Sequence, residues 1–170
     1  QKFKDYKYVG DPMNAVRIFN DKEVDELAII DIGATRESRP PDFGRITSIV
    51  SEAFMPVAYG GGIRNISEVE KILLGGVEKV IINKKAVEDP GLIEEIARRF
   101  GSQSVVVSID YKKQLFGGVT VCTGNGKTNT RQEPVAFAKK MEDLGAGELL
   151  LNSIDRDGSF QGYDILMIRN

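Results

Sequence analysis

Short uninterrupted apolar runs alternate with amphipathic stretches along the whole chain. The runs Leu27-Ala28-Ile29-Ile30-Asp31-Ile32, Pro56-Val57-Ala58-Tyr59, Lys79-Val80-Ile81-Ile82-Asn83, Ser104-Val105-Val106-Val107-Ser108-Ile109-Asp110 and Glu148-Leu149-Leu150-Leu151-Asn152-Ser153 each predict a strand. They are continuous rather than alternating, as strands covered on both faces are. Start and stop signals predict helices between them. Asp11-Pro12 supplies a capping carboxylate and a first-turn proline. Asn65-Ile66-Ser67-Glu68 has the capping-box pattern, and Gly75-Gly76 closes that helix. Asp89-Pro90 opens a helix running to Arg99, and Glu133-Pro134 opens one ending before Gly145. Gln114 to Thr123 reads as a small hairpin turning at Gly117-Gly118, inserted after a strand.

A strand–helix repeat with no linker and no break in composition predicts one α/β domain with a parallel sheet, open or closed into a barrel. An internal similarity favours the barrel. Asp25-Glu26-Leu27 through Ile32 resembles Gly147-Glu148-Leu149 through Ile154, four strand–helix units apart, as two half-barrels would show. Five strands do not close an eight-stranded barrel. Residues 1–170 are therefore expected to form a single partial barrel domain of a longer protein.

Composition narrows the chemistry. The formal net charge is −2, so no basic field draws the chain to nucleic acid, and no apolar run approaches the ~18 residues of a membrane span. The chain has no His. A Ser-His-Asp triad, a His-ligated metal and imidazole acid–base work are thereby excluded within it. A lone Cys122 forms no internal disulfide and reads as inert strand filler in a reducing, cytoplasmic setting. Proton transfer falls to Asp, Glu, Lys or Tyr.

Each predicted strand ends in a polar residue or Gly: Asp31, Gly60, Asn83, Asp110, and Ser153 with Asp155. That rim is where parallel α/β folds build sites, although each such residue could equally cap the next helix. Gly60-Gly61-Gly62 lets backbone approach an anion, and Asn83-Lys84-Lys85 adds an amide and two cations on the next loop. Together they make a candidate phosphate cradle. The simpler readings are a tight turn and solvated loop charges. Asp110 ends the most β-branched strand, where partial desolvation would suit a general acid or base. Asp155-Arg156-Asp157-Gly158 is a second acidic loop, or a plain turn.

The stretches Val57-Ala58-Tyr59-Gly60-Gly61-Gly62-Ile63, Lys79 to Asn83, Phe100 to Asp110 and Gly145 through Ser153-Ile154-Asp155-Arg156-Asp157-Gly158 closely resemble the cyclase subunit of imidazole glycerol phosphate synthase. The resemblance runs from Gly10-Asp11-Pro12 to Gly162-Tyr163-Asp164. It implies a (β/α)₈ TIM barrel, of which this chain covers about strands 2 to 6, with the first strand and the last two strand–helix units outside it. It implies ammonia supplied by a glutaminase partner at one barrel face. At the other face a ribulosyl aminoimidazole-carboxamide ribonucleotide is converted to imidazole glycerol phosphate, with no cofactor and no metal. By position, Asp110 matches a catalytic aspartate whose companion lies on strand one. Gly61, Gly62, Asn83 and Lys84 fall at a substrate phosphate site, with Ser153 and Asp155 as further substrate contacts and Asp31 and Asp157 elsewhere on the rim. Glu26, Lys79 and Glu148 match a charged ring that gates ammonia.

The chain departs from that family at Lys84 and Asn152, where Thr is usual, and at Gly33. Phe3 to Pro12 looks more like a paralogue branch associated with amidation of bacterial surface sugars (lipopolysaccharide or O-antigen). Three readings follow: the histidine-pathway cyclase, the surface-sugar paralogue using channelled ammonia, and a non-catalytic subunit that docks a glutaminase.

Overall fold

The computed structural model describes residues 10–114 and 117–170. The paralogue-like stretch from Phe3 to Val9, and Leu115 and Phe116 beside the expected hairpin turn, lie outside the described residues. The chain order is α1 (Pro12–Asp21), β1 (Leu27–Ile30), α2 (Ile32–Arg36), α3 (Phe43–Val50), β2 (Val57–Gly60), α4 (Ile66–Leu74) and β3 (Lys79–Ile82). There follow α5 (Lys84–Glu88), α6 (Gly91–Phe100), β4 (Val105–Lys113), β5 (Val119–Thr123), β6 (Thr128–Asn129), α7 (Pro134–Asp143), β7 (Glu148–Ser153) and α8 (Ile165–Arg169).

The capping signals act as anticipated. Asp11 accepts from the Met13 amide, Asn65 from Glu68 and Glu133 from Val135 and Ala136. Strands β1, β2, β3, β4 and β7 lie side by side and all parallel, with Leu27 opposite Val57, Val80 opposite Val105 and Asp110 opposite Asn152. Three details differ from expectation. Strand β1 stops at Ile30 rather than Ile32, because Asp31 caps α2 and Ile32 opens it. Strand β4 does not end at Asp110 but runs on to Lys113, because β5 pairs antiparallel with this extension, Asp110 opposite Cys122. The hairpin is also larger than Gln114 to Thr123, since β6 pairs with the end of β5. Its turn is as expected at Gly117 and Gly118, whose φ of 91° and 79° favour glycine.

One face of the sheet carries the main core. Tyr59, Val80, Ile82, Val105, Val107 and Ile109 from the strands pack with Ile46, Val69, Ile72, Ile93, Ile96, Phe137 and Met141 from the helices. Among the described residues, the opposite face holds a small buried cluster of Ala58, Ile81 and Val106. Parallel sheets normally bury both faces under helices. Here the described helices that join this core sit on one side, so the sheet curls with its other face inward. This is part of a (β/α)₈ barrel rather than an open doubly wound sheet, a choice that periodicity leaves undecided. Strand residues alternate between faces. Lys79, Ile81 and Asn83, and likewise Glu148, Leu150 and Asn152, therefore share the inward face.

Candidate active site

A cavity of about 530 Å³ opens at the C-terminal ends of the strands. Its wall includes Asp31 after β1, Gly60, Gly61 and Gly62 after β2, Asn83, Lys84 and Lys85 after β3, Asp110 on β4 and Asn152 on β7. Three strand-end segments and side chains from two further strands thus meet at one volume. Ile30, Ile81 and Leu150 form its apolar floor.

Asp110 is only 9% exposed. One carboxylate oxygen, Oδ2, accepts from Asn83 Nδ2 at 3.2 Å, and the other, Oδ1, accepts from Asn152 Nδ2 at 3.2 Å. Burial pushes its pKa up to about 6, against the opposing hydrogen bonds from Asn152 and Asn83, and the negative charge of Asp157 adds to the rise. A carboxyl that titrates near neutrality inside a cavity is suited to exchange protons with a bound molecule.

The three glycines are dictated by packing. Gly61 and Gly62 have φ of 122° and 72°, conformations open to glycine. A Cβ on Gly61 would strike the Asp31 carbonyl, and one on Gly62 would lie 2.8 Å from the Arg39 carbonyl. The turn is pressed against the β1–α2 segment, so its backbone forms the cavity wall. Asn83 precedes α5 yet does not cap it with its side chain. Both hydrogens of its amide are used elsewhere, on the Ser108 carbonyl at 2.9 Å and on Asp110. Any contact of Asn83 with an anion therefore falls to backbone. Lys84 is half-exposed and paired with Glu88 at 3.3 Å, close enough to the cavity to turn toward it.

Other residues singled out from the sequence take different places. Asp31 caps α2 through the Gly33 and Ala34 amides and holds Arg39 at 2.8 Å. It is a structural anchor that also borders the cavity. Asp157 lines the cavity. Ser153 and Asp155 do not line it. Ser153 is the register partner of Tyr111, and Asp155 accepts from the Lys113 amide at 2.9 Å, tying the hairpin to the loop after β7. Thr35, Gly124 and Asn125 line the cavity without having been singled out. Gly124-Asn125-Gly126 is a visible turn signal, but nothing local shows that the turn folds back over the rim.

At the opposite ends of the strands, Lys79 Nζ donates to Glu26 at 2.8 Å and to Glu148 at 2.6 Å. The hydrogen bond to Glu148, then that to Glu26, raises the pKa of Lys79. The two glutamates are the equivalent positions of the internal similarity. Four residue steps along the chain run from Glu148 to Asn152 and from Lys79 to Asn83, roughly 13 Å at the rise of a strand. The charged cluster and the cavity are thus two ends of one inward face. Among the described residues, no cluster of three or more acidic, Cys or His side chains is placed to hold a metal ion. No described helix is long and apolar enough to cross a membrane.

A family profile described as histidine biosynthesis protein matches residues 1–170. The chain belongs to this family. Within the histidine biosynthesis family it is 50% identical over 169 residues to a Pseudomonas aeruginosa protein provisionally named imidazole glycerol phosphate synthase subunit hisF2, covering 99% of this chain and 67% of that one. A Leptospira interrogans protein, provisionally the HisF subunit of the same synthase, is 48% identical over 99% of this chain and 66% of its own length. A Vibrio vulnificus relative, provisionally subunit hisF3, is 48% identical over 96% of this chain and 64% of its own. The chain spans about two thirds of the length of these relatives.

Proposed function

We propose that residues 1–170 are the larger part of a (β/α)₈ barrel, completed by a preceding strand and two following strand–helix units, that uses ammonia on a phosphorylated small molecule. One observation carries this reading: Asp110 in its cavity and the Lys79–Glu26–Glu148 cluster lie at the two ends of one inward sheet face. Ammonia enters between the charges at the strand starts, from a glutaminase partner. It travels along the inward face and meets substrate at the strand ends. There the Gly61-Gly62 backbone and the first turn of α5 hold a phosphate, Lys84 supplies positive charge, and Asp110 gives and takes protons. No cofactor takes part. Phe54, on the loop before β2, and Leu74, the last residue of α4, are 87% and 82% exposed at the strand-start end and extend the docking face for the partner. This arrangement suits a protein working in the cytoplasm.

The reaction assigned first is conversion of a ribulosyl aminoimidazole-carboxamide ribonucleotide to imidazole glycerol phosphate. The full-length protein, given an ammonium salt and that substrate, is expected to consume it with loss of its absorbance, and Asp110→Asn is expected to stop the loss. Absence of turnover, with substrate saturating, would remove this reaction. A second reading, amidation of a bacterial surface sugar, is favoured by Lys84 and Asn152 on the cavity wall, where Thr is usual. A competent ammonium-dependent reaction on an anionic sugar, and none on the ribonucleotide, would select it.

A further inference from the structure

We infer that Asn152 is a positioning residue for Asp110: it holds the carboxyl group by its Oδ1 oxygen and turns its amide when that oxygen takes up a proton. The inference rests on the assignment of Asp110 as the acid–base group. The geometry separates the two amides that grip Asp110. Asn83 Nδ2 bridges the Ser108 carbonyl and Asp110 Oδ2, at 2.9 and 3.2 Å. Both of those acceptors require an N–H, so the Asn83 amide has one usable orientation. Oδ2 of Asp110 is therefore committed to accepting a hydrogen bond in either protonation state.

Asn152 is tied less tightly. It sits directly opposite Asp110 across the β4–β7 ladder, and its one described hydrogen bond is Nδ2 to Asp110 Oδ1 at 3.2 Å. A carboxylate accepts only, so it selects this orientation while ionised. A protonated carboxyl carries an O–H that needs an acceptor. Half a turn of the Asn152 amide presents its own oxygen to that proton and breaks no other described hydrogen bond. The proton of Asp110 consequently belongs on Oδ1, the oxygen toward β7. A hydroxyl at residue 152 could do the same by rotation, whereas an aliphatic side chain could neither donate nor accept. This is a requirement of a group that must pass through both states, and a purely structural contact has no such need.

The test is to follow the Asp110 carboxyl carbon by ¹³C NMR against pH in the full-length protein, for wild type, Asn152→Leu and Asn152→Thr. Asn152→Ala replaces the leucine variant if that one does not fold. Loss of the donor weakens the ionised form most, because its hydrogen bond is charge-assisted. The Asp110 midpoint is expected to rise in Asn152→Leu and to return toward wild type in Asn152→Thr. In the ammonium-driven reaction, kcat of Asn152→Leu is expected to fall on the order of tenfold with KM little changed, and Asn152→Thr to recover it. An unmoved midpoint in Asn152→Leu, or in Asn152→Ala where it stands in, would overturn the inference. The carboxyl titration needs no turnover. A shifted midpoint in a protein that consumes no substrate would therefore support the positioning role while removing the proposed reaction.

Discussion

Asp110 shows how one residue's surroundings set its chemistry. Its apolar neighbours and the depth of the cavity raise its proton affinity, and two amides keep the rise moderate. A folded-state pKa raised from 3.8 to about 6 means that ionisation opposes folding. The penalty is absent below the unfolded value, grows between the two, and is complete above about pH 6. Its size is on the order of 3 kcal/mol. Asp110→Asn is therefore expected to unfold at a higher temperature than wild type above pH 6, with the difference gone below about pH 4. Thermal unfolding across that range measures it. The Asn152 amide can turn to accept from the new side chain, so the substitution needs no unpaired polar group. Gly61 behaves oppositely. Gly61→Ala puts a Cβ against the Asp31 carbonyl at a φ of 122°. It is expected to lose about 1–3 kcal/mol of stability by denaturant titration.

At the scale of elements, the parallel strands explain why charges at one end and a cavity at the other share a face. Lys79 lies between Glu26 and Glu148, contributed by β3 and by the segments opening β1 and β7. The glutamates are partly exposed, so Lys79→Met is expected to cost no more than about 1 kcal/mol in stability. Its effect is expected in coupling: glutamine-driven turnover with the partner falls relative to ammonium-driven turnover, as a ratio of the two rates shows. The strands were legible because each is a short, continuous apolar run, and α1, α4, α6 and α7 because each carries a cap or a proline. Helix α3 was not, since Phe43-Gly44-Arg45-Ile46-Thr47-Ser48-Ile49-Val50 has a glycine and β-branched residues of low helix propensity. Burial of Ile46 in the core beneath the sheet, and of Ile49 beside it, overrides that preference. The short α2 and α5 follow from packing at the rim rather than from periodicity. The polar rim was visible in sequence, but its sorting was not. Asp31 went to a cap and an ion pair, Asp155 to a hairpin tie and Asp110 to the cavity, according to which neighbours folding brought within reach.

The whole molecule is a curved sheet with one clothed face and one inward face. Among the described residues, β1 and β7 have one unpaired edge each. Ile30, Leu149 and Leu150 near those edges are 47%, 40% and 39% exposed. Open edges beside apolar side chains recruit other strands. Residues 1–170 expressed alone are accordingly expected to self-associate, and sedimentation would show species larger than a monomer. The full-length protein is expected to remove that tendency by closing the barrel. The central claim joins both ends of this sheet: ammonia arriving from the charged end reacts beside Asp110. It is tested most directly by the ammonium-driven rate of the full-length protein, wild type against Asp110→Asn, at saturating substrate. The account predicts a loss of about 10²-fold or more, the contribution of a positioned acid–base group, with the variant folded and still binding substrate. Equal rates in the two proteins would contradict it.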